Sequence, residues 1–170
     1  HDTFGKIEVT WHQYGVLIFP GQVLSDEMHI AFSRRFGELE RSLDIFRGIA
    51  KNRRVPPELI ILSNVKDDGT LWPHKSEHGL FLKGNRGWHT DSSFKRVPAM
   101  GSLLAAHQVL DTGGGTEFAD MRAAYDDLAP DMQAWLEDRV AVHSYTYSQG
   151  LVGGLTVLSE EEQAALPPVQ

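Results

Sequence analysis

The chain contains no cysteine. Disulfides, thiolate metal sites and thiol nucleophiles are excluded with it. Long apolar runs are missing too, and none approaches the roughly 20 residues of a helical membrane span. No basic segment leads into an apolar stretch near the start, so no secretory signal is visible. Positive charge is in deficit: 16 Lys and Arg stand against 23 Asp and Glu, a net charge of −7. Sequence-independent binding to nucleic acid, which is built on many cationic phosphate contacts, is therefore not expected. An intracellular, cytoplasmic location is the default for such a chain.

What is present is ordinary for a water-exposed globular protein: 170 residues, 41% apolar and 23% charged. That length can enclose one core, and residues 1–170 are expected to form one domain. Phe4, Ile7 and Trp11 recur at helical spacing and predict a helix over residues 4–13, broken at Tyr14-Gly15. Ser25 is placed to cap a second helix with Asp26 and Glu27 in its first turn, Met28, Ala31 and Phe32 on its apolar face, and Gly37 as a stop. Asp120 can cap a third helix, and Pro130 suits the first turn of a fourth. Ser159-Glu160-Glu161-Glu162 reads as a capping box for a last short one. Between them lie compact apolar runs that predict strands: 16–19, 59–62, 102–106, 116–119 and 140–142. Residues 65–83, with His74 and His78, read as a long polar loop, and Gly150–Gly154 as a flexible segment. Asp111-Thr112-Gly113-Gly114-Gly115 predicts a tight turn, because three glycines offer positive φ freely. Short strands joined by glycine turns, without regular strand–helix alternation, predict a mainly β fold of the jelly-roll kind with flanking helices.

The stretch that carries chemistry is Gly84-Asn85-Arg86-Gly87-Trp88-His89-Thr90-Asp91-Ser92-Ser93-Phe94-Lys95. If it is extended, side chains alternate, so His89 and Asp91 point the same way while Thr90 points away. An imidazole nitrogen and a carboxylate oxygen then share one face. They would be two thirds of the 2-His-1-carboxylate arrangement that holds non-haem iron with open positions. The same pair could instead make only hydrogen bonds. Thr116, after the glycine turn, could donate its hydroxyl to a carboxylate, or simply fill a strand position. Lys95, four residues beyond Asp91, could pair with a substrate anion or stand on the surface; Arg96 is its rival. His107 reads as a core or rim histidine, and His143, directly after the run 140–142, stays open as a third ligand.

Four segments occur in an order that carries a resemblance: Gly15-Val16-Leu17-Ile18-Phe19-Pro20-Gly21-Gln22, Ala31-Phe32-Ser33-Arg34-Arg35-Phe36-Gly37, Trp88-His89-Thr90-Asp91-Ser92-Ser93-Phe94, and Gly113-Gly114-Gly115-Thr116-Glu117-Phe118-Ala119-Asp120-Met121. Together they resemble the taurine dioxygenase/2,4-dichlorophenoxyacetate dioxygenase family over nearly the whole chain, and look closer to its phenoxyalkanoate-degrading branch. The resemblance implies a double-stranded β-helix and an enzyme dependent on Fe(II) and 2-oxoglutarate. It implies His89 and Asp91 as iron ligands and Thr116 as a holder of the distal carboxylate of 2-oxoglutarate. The implied partners are dioxygen and a small anionic substrate, phenoxyalkanoate-like or sulfonate-like, with self-association compatible with the sequence.

The family's second metal His and following Arg, near a Trp-Asp-Asn-like strand, have no counterpart in these 170 residues. With His1 in place of Met at the start, the chain is expected to be the N-terminal part of a longer dioxygenase, its jelly roll incomplete and its turnover absent when alone. The competing class is a non-catalytic jelly-roll module, or one that binds another divalent metal.

Overall fold

In the computed structural model, residues 2–40, 55–66, 68–151 and 160–170 are described. Their regular structure is helical: α1 (Thr3–Tyr14), α2 (Asp26–Ser33), α3 (Glu77–Gly84), α4 (Met121–Asp126), α5 (Pro130–Glu137), α6 (Tyr145–Leu151) and α7 (Glu160–Ala165). The chain divides into two compact units. One comprises His1–Leu24 and Ala105–Arg139, the other Ser25–Leu104 and Val140–Gln170.

In the first unit, α1 ends where Gly15 takes φ 74° and its N–H returns to the Trp11 carbonyl at 2.7 Å. The Trp11 indole N–H closes the same end by donating to the Gly15 carbonyl at 2.9 Å. Phe4, Ile7 and Trp11 are half-buried, as their spacing predicts, and Ile7 and Thr10 line a shallow cleft with Leu17, Ile18 and Phe19. Asp120 caps α4 by accepting from the Arg122 N–H at 2.9 Å, and Pro130 opens α5.

Arg122 ties the two ends of this unit together. Its guanidinium donates to the carbonyls of His12 (2.8 Å) and Gln13 (3.3 Å) at the end of α1, and grips Asp120 at 2.9 Å. The Arg122 side chain first, and its backbone N–H second, hold the Asp120 carboxyl down from 3.8 to about 2. A carboxylate whose folded pKa is depressed contributes stability that is complete above its unfolded pKa and lost as the pH falls through the folded one. Acid titration of the thermal midpoint should therefore show a decline between pH 3.8 and about 2 that Arg122→Met flattens. An equally steep decline in the variant would remove the pair from the account.

In the second unit, the Ser25 hydroxyl accepts from the Met28 N–H at 3.2 Å, so α2 starts where its capping residue predicts. The helix stops at Ser33, earlier than Gly37, and Phe32 and Phe36 meet edge-to-face at 5.5 Å. The expected loop over 65–83 is more ordered than its polarity suggests. Val65 bridges Leu71, the Thr70 N–H and hydroxyl both donate to Asp68, and α3 begins at Glu77. Ser76 starts that helix: its hydroxyl donates to the Pro73 carbonyl and accepts the Gly79 N–H at 3.1 Å. His78, read as part of a polar loop, is half-buried. It stacks on Trp72 at 4.8 Å and bonds the Ser63 carbonyl at 2.9 Å.

The expected flexible glycine segment begins inside α6, which reaches Leu151; residues 152–159, including the expected cap Ser159, lie outside the described residues.

The runs expected as strands are non-helical, but among the described residues they form no ladder. The bridge His143 to Val169 and the one at Val65 are the isolated pairings. A strand is completed by its hydrogen-bonded neighbour, so an apolar run without one stays a single extended stretch. Its side chains stay exposed accordingly, as at Ile18, Ile60, Leu104 and Val140.

Candidate metal centre

The segment after α3 leaves the helix through a pair of turns, Arg86 N–H to Lys83 and Gly87 N–H to Gly84, each at 3.2 Å. They bring the Gly87 carbonyl under the imidazole of His89, whose Nδ1 lies 2.7 Å from it. A carbonyl only accepts, so Nδ1 carries a proton, and Nε2 is the nitrogen turned away from it toward a ligand. Nε2 faces Asp91 Oδ1 at 3.5 Å. Donor atoms of this kind sit roughly 2.0–2.2 Å from a bound ion, so two within about 4 Å of each other can share it. The segment belongs to no ladder and Asp91 already lies in a turn, yet the two side chains face each other.

The second carboxylate oxygen, Asp91 Oδ2, accepts from the Ser102 hydroxyl at 2.7 Å. Immediately after Asp91 the chain reverses, with Ser92 at φ 59° in the left-handed region that non-glycine residues seldom adopt. The Ser92 carbonyl accepts the Lys95 N–H at 2.9 Å, closing the turn. Glu40 clamps it from outside, one carboxylate oxygen accepting the Ser92 hydroxyl at 2.7 Å and the other the Lys95 ammonium. Phe94 packs on Tyr145 at 4.7 Å between ring centroids.

The pair is open: the side chains of His89 and Asp91 are 49% and 60% exposed. Among the described residues no group of three His, Asp or Glu comes close enough to hold an ion. The donor set thus fits two positions of an iron site. Thr116 is exposed and belongs to the first unit, behind a turn in which Gly113 and Gly114 take φ 78° and 69° as the triple glycine predicts. Lys95 is 18% exposed and held by Glu40, whereas Arg96 is exposed. Ser102, Glu40 and the Gly87 carbonyl escape sequence reasoning. Their partners are 11, 52 and 2 residues away, and the two long-range ones leave no local pattern.

A model of the family described as taurine catabolism dioxygenase TauD, TfdA matches residues 1–169. The chain is 40% identical over 158 residues to an (S)-phenoxypropionate/alpha-ketoglutarate-dioxygenase of Sphingobium herbicidovorans, covering 92% of this chain and 50% of that one. It is 40% identical over 169 residues to an alpha-ketoglutarate-dependent 2,4-dichlorophenoxyacetate dioxygenase of Cupriavidus pinatubonensis, covering 96% and 56%. Among solved structures it matches the crystal structure of AAD-2 in complex with Mn(II) and N-oxalylglycine, with a TM-score of 0.79 and 39% identity over 97% of this chain and 55% of that one. The fold is shared over that length. The chain spans about half the length of the curated relatives it matches.

Proposed function

The chain belongs to the taurine catabolism dioxygenase TauD, TfdA family, and from that premise we propose that the protein is an Fe(II)- and 2-oxoglutarate-dependent dioxygenase acting on a small anionic molecule. The observation that carries the proposal is the facing of His89 Nε2 and Asp91 Oδ1 at 3.5 Å, in a chain 40% identical to aryloxyalkanoate dioxygenases. The fold in this reading is a double-stranded β-helix, to which the unpaired extended runs contribute strands.

When bound, Fe(II) with 2-oxoglutarate supplies the oxidation of a substrate C–H bond by dioxygen, while 2-oxoglutarate loses carbon dioxide to become succinate. The protein's own residues have narrower tasks. His89 presents Nε2 and Asp91 one carboxylate oxygen. The Thr116 hydroxyl donates to the distal carboxylate of 2-oxoglutarate. Lys95 exchanges Glu40 for the anionic group of the substrate. The named relatives, acting on phenoxypropionate and dichlorophenoxyacetate, favour an aryloxyalkanoate; an alpha-ketoglutarate-dependent sulfonate dioxygenase at 29% identity keeps sulfonates in view.

Anaerobic addition of Fe(II) and 2-oxoglutarate to the intact protein should develop a weak visible charge-transfer band. Air with an aryloxyalkanoate should then release succinate, and Lys95→Met should raise KM for the anionic substrate alone. Wild-type protein that gives neither band nor succinate would refute the assignment; an unchanged KM would remove Lys95 only.

A further inference from the structure

The two oxygens of the Asp91 carboxylate have different neighbours. Oδ2 accepts the Ser102 hydroxyl at 2.7 Å, and Oδ1 faces His89 Nε2 at 3.5 Å. A carboxylate on a free side chain turns about its last bond over a broad range, and at 60% exposure nothing close-packed stops it. One hydrogen bond to Oδ2 removes that freedom and leaves Oδ1 as the oxygen offered to the ion. Behind it, the left-handed Ser92, held by Glu40, turns the chain away directly after Asp91.

We propose that Ser102 is a positioning residue for metal binding: its hydroxyl selects which oxygen of Asp91 ligates and holds it on the His89 side. The inference rests on the metal reading of His89 and Asp91 given above. Ser102 touches neither ion nor substrate in it. Its role parallels that of the Gly87 carbonyl, which fixes the tautomer and plane of His89 at 2.7 Å. Each of the two presented donor atoms therefore has one hydrogen bond on its far side, from an element of the same unit. Orienting partners of this kind change metal affinity by about 10–100-fold when removed.

Mn(II) serves as the probe, titrated into the intact protein without 2-oxoglutarate while the free-ion signal is followed by electron paramagnetic resonance. Ser102→Ala should weaken Mn(II) binding by about tenfold, and Ser102→Thr, which keeps the hydroxyl, should return it close to wild type. Thermal melting of the metal-free variants should not move, because Ser102 is exposed. A merely structural role would shift the melt and leave the affinity alone. Ser102→Ala titrating like wild type, while His89→Ala loses the ion, would overturn the role of Ser102 and leave the metal site standing. Equal weakening by the Ala and Thr variants would overturn it as well, since the hydroxyl would not be the operative group. Mn(II) binding indifferent to His89→Ala would bring down the metal assignment itself.

Discussion

His89→Ala should abolish measurable metal binding at this site and lower turnover by at least about a thousandfold, without a change in fold. The electrophilic contribution of a bound ion is worth several kcal/mol, and each 1.36 kcal/mol is about a factor of ten in rate. In the proposed site, loss of His89 removes that contribution, because Asp91 Oδ1 is then the one donor left there among the described residues and cannot by itself retain an ion against water. Stability should stay within about 0.5 kcal/mol of wild type, as for surface substitutions that leave no cavity and strand no buried group. The side chain is 49% exposed, and its hydrogen-bond partner, the Gly87 carbonyl, lies on an exposed residue that water can reach. Metal titration and thermal melting on the same sample separate the two effects. Retained Mn(II) affinity would show that His89 is not a ligand, whatever happens to activity; a collapsed melt would show that its role is structural.

The facing of His89 and Asp91 was legible in the sequence because it is local. One residue, Thr90, separates the members, and their side chains face each other at 3.5 Å. The same is true of the helix starts at Ser25, Asp120 and Pro130, each marked by one residue whose chemistry suits that position, and of the left-handed turn at Gly113 and Gly114. What escaped was non-local or ambiguous. Ser102 looks like any polar residue at the start of an apolar run, and Glu40 like any charge in a charged stretch; only folding places them against Asp91 and Ser92.

The apolar runs stand unpaired among the described residues for a related reason. Hydrophobic composition states that a segment should be covered, but pairing needs a second segment in register. Residues 16–19 and 59–62 have the composition without a ladder among the described residues. The helix α3 was missed in the opposite sense. The polarity of residues 65–83 suggested a loop, and the hydrogen bonds that start α3 come from Ser76 and the Pro73 carbonyl, contacts that neither period nor propensity registers.

A glycine of α3 supports the second large effect, Gly79→Ala. Alanine is the better helix former by about 1 kcal/mol, and Gly79 has no positive φ to protect, so propensity alone predicts a stabilised α3. Space predicts the reverse. A Cβ at Gly79 would lie 2.4 Å from the Pro73 carbonyl oxygen and 2.8 Å from that of His74. Both are backbone atoms and cannot swing aside like the end of a side chain.

The start of α3 must then separate from the 73–76 turn. That movement pulls on the Ser76 cap, the bond from His78 to the Ser63 carbonyl and the stack of His78 on Trp72. Overpacking of this kind costs about 1–3 kcal/mol, which outweighs the propensity gain, so the variant should melt lower and lose near-ultraviolet circular dichroism from Trp72. The disturbance should also travel. α3 ends at Gly84, and the turns at Lys83–Gly87 carry its end directly to the carbonyl that holds His89. Mn(II) affinity should accordingly fall together with the melting temperature, in contrast to Ser102→Ala, where only affinity falls. A Gly79→Ala protein that melts at or above wild type would mean that propensity wins and that the contact of α3 with Pro73 and His74 is not tight; a lower melt with unchanged affinity would mean that α3 does not position His89.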